Sequence, residues 1–344
     1  MTITKVDICC GLSWGDEGKG KLVSYLARHK NYDFVCRWAG GNNAGHTIYI
    51  NGNRYKTNLI PSGVFYGVRS VIGPGCVVNY KAFTDEITYL QENGFDTSLV
   101  KISPKTHVIM DKHVEEDIEK YREQGSTCKG IAPCYRDKYG RTGVRVENVP
   151  SFSSYLWDEQ LYGNILCEGA QGFWLDIDYG NYPYTTSSNT LPYSACSLGF
   201  SPKVINNIYG AVKIYDTRVG NDPDFPDNLL EDEELSNVAK VGNEYGTTTG
   251  RARKVNWLDL EKLIKAINIS GTTHIIISKV DILEKIGIYK IIYNDNTIEF
   301  STMEDMKNYI TGELTNKCSE IKKLIYSGNI ETIDGLRSEE HTSE

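Results

Sequence analysis

The chain alternates between short apolar runs and longer runs in which apolar residues recur at helical spacing. The short runs predict β-strands, and they occupy residues 6–10, 32–37, 69–72, 76–78, 165–168 and 274–277. The periodic runs predict helices, which occupy residues 83–91 and 258–267, with a final helix running to Lys323. A hairpin is predicted over residues 286–293 and 297–300, with its turn at residues 294–296. We therefore predict an α/β fold, a single large domain whose mostly parallel central sheet is flanked by helices.

A glycine-rich turn follows the first predicted strand, with the sequence Gly15-Asp16-Glu17-Gly18-Lys19-Gly20-Lys21. Leu22, Val23 and Leu26 then recur at helical spacing, so the turn lies where a strand passes into a helix N-terminus. Unpaired backbone N–H groups and the helix dipole favour an anion there. Glycines allow close backbone approach, and a lysine adds charge. These features predict a P-loop-like phosphate turn, the alternative being that the glycines serve only tight packing.

The turn differs from the common G-x-x-x-x-G-K-[S/T] loop, because no Ser or Thr follows its lysine to hold magnesium. Asp16 is the candidate ligand instead, since Mg²⁺ takes one or two carboxylates together with phosphate oxygens. A second segment, residues 40–47, reads Gly-Gly-Asn-Asn-Ala-Gly-His-Thr, a poor composition for a strand or a helix. His46 lies in this permissive loop, which favours a chemical role over a structural one.

Composition narrows the classes of function. The chain has 344 residues and is 40% hydrophobic, enough for a large core. A net charge of −8 and a pI near 5.4 argue against a nucleic-acid or anionic-membrane surface. Nine cysteines without C-x-x-C or zinc spacing indicate reduced thiols. Since no apolar run approaches the roughly 18 residues of a membrane span, we expect a cytoplasmic protein that binds small anions.

Three later segments carry groups suited to binding a nucleotide or a carboxylate. Residues 125–133 are small and polar with three basic residues close behind, so they could surround a phosphate or form an exposed linker. Gln171 follows a strand between glycines and offers a donor and an acceptor to a base edge. Residues 246–254 hold three threonines and two arginines, which suit a carboxylate, with a solvated basic turn as the alternative.

Residues 14–21 and 41–47 resemble the two signature motifs of the adenylosuccinate synthetases. The resemblance covers about residues 6–334 and is closest to the short archaeal and phage-associated branch. It implies a homodimeric, Mg²⁺-dependent ligase of AMP biosynthesis. Such a ligase joins L-aspartate to IMP through a 6-phosphoryl intermediate and hydrolyses GTP.

The resemblance also implies roles for individual residues. Catalysis would belong to Asp16, Lys19, His46 and Gln171. GTP would bind at Gly15, Glu17, Gly18, Lys19, Gly20, Lys21, Gly45, Thr47, Arg253, Lys279, Asp281, Ser327 and Gly328. The nucleotide monophosphate would bind at Asp16, Asn43, Ala44, His46, Thr127, Arg141, Gln171, Thr186, Val219 and Arg251. L-Aspartate would bind at Thr247, Thr248, Thr249, Arg251 and Arg253, and magnesium at Asp16 and the backbone oxygen of Gly45. Arg141 would reach into the neighbouring subunit's site.

Two segments depart from the family pattern, residues 191–196 and 221–227, both expected near the ribose and base. They leave open a phage-type relative that uses dGMP, L-aspartate and ATP or GTP to serve 2-aminoadenine DNA. A non-catalytic sensor of GTP and IMP is a third hypothesis. Residues 337–344 resemble translated sequencing adaptor, so we expect the domain to span residues 1–336.

Overall fold

The computed structural model describes residues 2–43, 45–122, 125–245 and 252–328. The strands are β1 (Ile3–Gly11), β2 (Phe34–Arg37), β3 (His46–Ile50), β4 (Asn53–Thr57), β5 (Arg69–Ile72), β6 (Val77–Val78), β7 (Val100–Ile102), β8 (His107–Val108), β9 (Gly163–Glu168), β10 (Ile205–Lys213), β11 (Tyr215–Arg218), β12 (Lys254–Asp259), β13 (His274–Ser278), β14 (Tyr289–Tyr293), β15 (Asn296–Phe300) and β16 (Lys323–Tyr326). The helices are α1 (Lys19–His29), α2 (Tyr80–Glu92), α3 (Asp111–Tyr121), α4 (Ile131–Tyr139), α5 (Glu233–Val241), α6 (Leu260–Ser270), α7 (Val280–Ile286) and α8 (Met303–Lys317).

Eight strands form the central sheet, in the order β16-β13-β10-β1-β9-β2-β5-β7. Every neighbouring pair in it is parallel. A smaller sheet of four strands, β11-β12-β14-β15, packs beside it and contains antiparallel pairs. The predicted α/β fold with a mostly parallel central sheet is therefore confirmed.

The predicted join between the first strand and the first helix is confirmed. β1 lies in the middle of the sheet, and its Ile8 and Cys9 are fully buried. On α1, Leu22, Val23 and Leu26 are also fully buried, since their helical spacing puts them on the face that covers the sheet. Gly18 caps α1 with a φ of 91°, a left-handed conformation that glycine adopts without strain.

The bounds of the predicted helices differ from those in the structure. The helix predicted over residues 83–91 spans Tyr80–Glu92. The helix predicted to begin at Leu258 begins at Leu260, because residues 254–259 form β12 and Asp259 caps the helix by accepting from the backbone N of Lys262 at 2.9 Å. The final helix ends at Lys317 rather than Lys323. Residues 323–326 instead form β16, which pairs with β13 in parallel. Pairing with a distant strand therefore overrode the local pattern.

The predicted hairpin is confirmed as β14 and β15, whose register pairs Tyr289 with Phe300 and Tyr293 with Asn296.

The carboxyl ends of the parallel strands all meet at one edge of the central sheet, and the glycine-rich loops of the sequence leave from that edge. Within the described ranges, no helix is long and apolar enough to cross a membrane.

Candidate active site

A cleft of about 940 Å³ opens at the carboxyl edge of the central sheet, where the loops after β1, β2, β9, β11 and β13 converge. Parallel sheets bind ligands at this edge, and the volume suits a small-molecule site. The predicted site residues that line it are Gly15, Asp16, Glu17, Gly18, Lys19, Gly20, Lys21, Asn43, Gly45, His46, Thr47, Thr127, Gln171, Thr186, Val219, Arg253, Lys279 and Gly328. The fold thus assembles residues more than 300 positions apart in one cavity.

Other predicted residues are placed differently. Asp281 and Ser327 do not line the cleft but adjoin residues that do. Arg141 follows α4 on the exposed surface and has no place in the cleft of its own chain. The predictions for Ala44, Thr247, Thr248, Thr249 and Arg251 lie outside the described residues.

The phosphate turn is held from inside by Glu17. Its Oε1 accepts from the backbone N of Ser13 at 3.1 Å and of Gly15 at 2.9 Å. Its other carboxylate oxygen pairs with the ammonium of Lys19, and both side chains are buried. In this structure Glu17 therefore fixes the shape of the turn, and Lys19 is paired at the wall of the cleft.

Asp16 projects into the cleft from a left-handed backbone conformation, with a φ of 58°, which aspartate tolerates. Its carboxylate is 30% exposed and accepts from the Nε of Arg253 at 2.9 Å. The same guanidinium donates from Nη1 to Oε2 of Glu244 at 2.6 Å. Arg253 therefore bridges the candidate base and a buried carboxylate.

Glu244 is completely buried and interacts with cationic side chains from several elements. Lys213, at the end of β10, donates to it at 2.9 Å, and the hydroxyl of Tyr215 donates at 2.6 Å. Lys279 lies 3.9 Å away. Burial alone would raise the pKa of Glu244, but Lys213 and Arg253 outweigh it and hold the pKa at about 2. The carboxylate is thus fully ionised and fixes two cations at the cleft wall.

His46 faces the cleft and is backed by a buried carboxylate. Its Nδ1 pairs with Oε1 of Glu168, the last residue of β9. Burial lowers the pKa of His46, although Glu168 opposes the shift. Burial would raise the pKa of Glu168, but His46 and Arg37 outweigh it and lower the pKa. His46 and Glu168 therefore form one buried, hydrogen-bonded pair at the cleft.

Gln171 has an amide placed for an incoming base. Its φ of 56° is unusual for glutamine, and its Nε2 lies 3.4 Å from Oδ1 of Asn43. Its Oε1 is buried without a hydrogen-bond partner among the described residues. An unpaired buried amide oxygen at a cleft wall indicates that a ligand supplies the missing donor.

Lys279, directly before α7, also lines the cleft. Lys279 caps this helix with a φ of 66° and donates to the carbonyl oxygen of Gly242 at 3.0 Å. Oδ1 of Asp281 is buried and has no hydrogen-bond partner within the described ranges. A Cβ on Gly328 would lie 3.2 Å from Cβ of Asp281, so the glycine leaves room beside this carboxylate. Oδ1 of Asp281 is therefore available to accept a hydrogen bond from a ligand, whereas Oδ2 accepts from Lys285 at 2.9 Å.

The two segments that depart from the family pattern lie mostly outside the cleft wall. In residues 191–196, Leu191 and Ala195 are buried in the hydrophobic core and Tyr193 is exposed. Of residues 221–227, Asn221 alone is among the lining residues of the described chain. The expectation that both segments meet the base and ribose is thus supported for Asn221 only.

The donors expected for magnesium fit such an ion. Asp16 and Gly45 both line the cleft. In the part of the chain that the structure describes, no cluster of three or more His, Cys, Asp or Glu side chains could hold a metal. A magnesium site completed by phosphate oxygens and water needs only one or two protein carboxylates.

Sequence reasoning missed three buried charges at this site, Glu168, Lys213 and Glu244. Each lies at or near the end of an element, and a charge directly after an apolar strand is the signal that could have found Glu168 and Lys213. Glu244 carried no such signal, because its cations come from three other segments.

Comparisons with known proteins agree on one family. A sequence model described as adenylosuccinate synthetase matches residues 8–161 and 149–294. The adenylosuccinate synthetase of Lysinibacillus sphaericus is 37% identical over a region that covers 83% of this chain and 79% of the relative. That of Clostridium botulinum is 40% identical over 80% of this chain and 78% of the relative.

Two solved structures share the fold. A fully ligated adenylosuccinate synthetase from Plasmodium falciparum superposes with a TM-score of 0.79 at 26% identity, covering 95% of this chain and 98% of the other. The succinoaminodeoxyadenylate synthetase of cyanophage S-2L, bound to dGMP and dATP, shares the fold with a TM-score of 0.67 at 19% identity, covering 90% and 99%.

Proposed function

The chain belongs to the adenylosuccinate synthetase family, and on that premise we propose that it joins L-aspartate to IMP while hydrolysing GTP. The products are adenylosuccinate, GDP and phosphate. The observation that most supports this proposal is the convergence of Asp16, His46 and Gln171 on a cleft that also contains Lys279. A candidate base, an imidazole, a purine-reading amide and a guanine-reading segment share one cavity.

The first step activates the purine. Asp16 accepts the N1 proton of IMP, and the electrons shift to O6, which attacks the γ-phosphorus of GTP as GDP leaves. Gln171 holds the base edge with its unpaired amide oxygen. His46 donates a hydrogen bond to the developing negative charge, and the bound phosphates favour the second ring proton that this donation needs.

Asp16 and the backbone oxygen of Gly45 would hold magnesium at the phosphates. When bound, the ion supplies positive charge that offsets the negative charge on the phosphate oxygens. Lys19 and the backbone of the turn contribute to the same binding.

The second step forms the C–N bond. The amine of L-aspartate attacks C6 and expels the phosphate that was attached at O6, losing a proton as the bond forms. Nη2 of Arg253, which takes no part in the pairing with Asp16 and Glu244, can donate to a carboxylate of L-aspartate. Thr247, Thr248, Thr249 and Arg251 would complete this site.

GTP rather than ATP is proposed as the donor because of Asp281. A carboxylate can accept from both N1–H and the 2-amino group of guanine, and adenine has neither donor. The buried Oδ1 of Asp281, unpaired among the described residues, supports this assignment.

A homodimer is proposed because Arg141 is exposed and does not line its own chain's cleft. In a homodimer it would supply charge to the nucleotide monophosphate of the neighbouring site. Equal mixing of an R141A subunit with a D16N subunit should restore activity, since each mixed dimer then has one intact site. Failure of mixing, with both variants folded, would rule out this role.

The alternative, a phage-type reaction that uses dGMP in place of IMP, has only limited support. The cyanophage enzyme shares the fold at 19% identity, which supports architecture alone. Residues 191–196 do not line the described cleft, so Asn221 is the remaining candidate for selecting the base or sugar.

The deciding experiment is phosphate release with Mg²⁺, crossing IMP and dGMP with GTP and ATP, each with and without L-aspartate. We expect aspartate-dependent release with IMP and GTP. Activity confined to dGMP would replace the proposal by the phage-type reaction. Binding without any aspartate-dependent release would indicate the sensor.

A further inference from the structure

We propose that Glu168 is a positioning residue that acts through His46. The proposal rests on the proposed function, in which His46 meets the transferring phosphoryl group. Glu168 itself is completely buried and does not line the cleft. Its Oε1 pairs with Nδ1 of His46, so Nε2 is the ring nitrogen left to meet a ligand.

The carboxylate of Glu168 is rigidly held on its other sides. The backbone N of Ser62 donates to Oε2 at 2.7 Å, and the hydroxyl of Ser62 donates to Oε1 at 3.0 Å. β9 and β2 are paired so that Glu168 stands beside Arg37, which is also completely buried. A carboxylate with these partners cannot rotate away without leaving buried donors unpaired.

The imidazole is confined from its opposite side by α1. A Cβ on Gly20 would lie 2.6 Å from Cβ of His46, so the histidine packs directly on the backbone of the first helical turn. His46 is only 7% exposed although it lines the cleft. Gly20 therefore sets where the ring lies, and Glu168 sets which nitrogen faces the nucleotide.

This arrangement matches the outer partners of metal-bound histidines, where a carboxylate on one nitrogen fixes the orientation of the ring. Removing such a partner costs about 10- to 100-fold in activity. If Glu168 were purely structural and served only to hold Ser62, its replacement would lower the stability of the fold, and its effect on kcat would not depend on His46.

A double-mutant cycle distinguishes the two roles. We expect Glu168→Gln to lower kcat for phosphate release about 10- to 100-fold, with KM for GTP and IMP changed less than about threefold. In a His46→Asn background the same change should lower kcat less than about twofold, because its route of action is already removed. Equal losses in both backgrounds would overturn the proposal.

Glu86→Gln is the matched control. Glu86 is another buried carboxylate, and it accepts from the backbone N of Asn58, Leu59 and Ile60 without contacting His46. We expect it to change kcat by the same small factor in both backgrounds. Ser62→Ala is the milder second variant if Glu168→Gln does not fold, and its smaller loss of kcat should likewise vanish beside His46→Asn.

Proton NMR tests the contact without requiring activity. The wild type should show a low-field Nδ1–H resonance that is absent from His46→Asn, shifts upfield in Glu168→Gln and stays in place in Glu86→Gln. An unchanged resonance in Glu168→Gln would refute the positioning role. Absence of aspartate-dependent release by the wild type would instead count against the proposed function, so the two failures are distinguishable.

Discussion

Two regions of the molecule contain residues with positive φ, but for different reasons. One is the carboxyl edge of the central sheet, and the other is the hairpin of β14 and β15 with the helix α8 that follows it. The hairpin turn places Asn294 and Asp295 at φ of 50° and 59°. Both residue types tolerate positive φ, and paired left-handed residues suit a two-residue turn between antiparallel strands. At the cleft, Gln171 and Lys279 have φ of 56° and 66°, although neither type favours it.

The two regions also differ in what they bury. α8 begins at a threonine cap and buries Met306, Ile310 and Leu314, the apolar stripe expected of a helix on a core. The cleft edge buries Glu168 and Glu244 among cations. Unlike the hairpin and α8, the cleft edge thus combines disfavoured backbone conformations with buried charge, a combination typical of ligand sites.

The substitution with the largest expected effect at the cleft edge is Asp16→Asn. We expect turnover to fall by about 10³-fold or more, because the amide cannot accept the N1 proton. Asparagine tolerates positive φ, so the fold should remain. Phosphate release measures the loss, and thermal unfolding is the control. A rate near that of the wild type would remove Asp16 from its proposed role.

Glu244→Gln tests the buried charge. We expect a loss of about 3–5 kcal/mol in the free energy of unfolding, since Lys213 and Arg253 lose their common partner. Denaturant unfolding at pH 7 measures it. Glu116, which is partly exposed and pairs with the exposed Lys120 and Arg136, gives the control Glu116→Gln, which should be far milder because surface ion pairs contribute little.

The pH dependence of the stability difference between wild type and Glu244→Gln shows whether the ionised form of Glu244 is the stabilising one. The folded pKa of Glu244, about 2, lies below the ordinary value for glutamate, near 4.3. Its stabilisation is therefore complete above about pH 4.3 and is lost as the pH falls through about 2. The stability difference between wild type and Glu244→Gln should narrow over that window. A constant difference would show that the carboxylate is not stabilised as an ion.

Gly20→Ala tests how closely the cleft is packed. The added methyl would lie 2.6 Å from Cβ and 2.9 Å from Cγ of His46. We expect kcat to fall about 10- to 100-fold through displacement of the ring, the size of effect that small misplacements cause. Unchanged kcat would mean that His46 needs no fixed position.

Gly312→Ala is the counterpart in α8 and the smallest effect. A Cβ there meets no atom within 4 Å, so only backbone entropy and helix propensity change. We expect the free energy of unfolding to rise by about 0.5–1 kcal/mol without a change in kcat. Urea unfolding measures the rise, and a decrease would contradict the view that this helix follows local rules.

Sequence reasoning predicted the parts of the fold that depend on neighbours in the chain. The turn between β1 and α1, the hairpin at residues 289–300 and the strand β13 follow from apolar spacing and turn residues. It failed at β16, where Lys323–Tyr326 is a strand because β13 offers an edge to pair with. Most of the family-based site predictions that fall on described residues line the cleft, because their motifs are long and local.

The sequence by itself determined where strands pass into loops, which loops are glycine-rich and which family the motifs resemble, since all of these are encoded within a few consecutive residues. The tertiary structure alone decided that Glu168 backs His46, that Arg253 joins Asp16 to Glu244 and that Lys213 reaches the same carboxylate. These contacts join residues 9 to 237 positions apart. A buried charge is stable only where the fold brings an oppositely charged partner into contact with it, and no local sequence pattern specifies that contact.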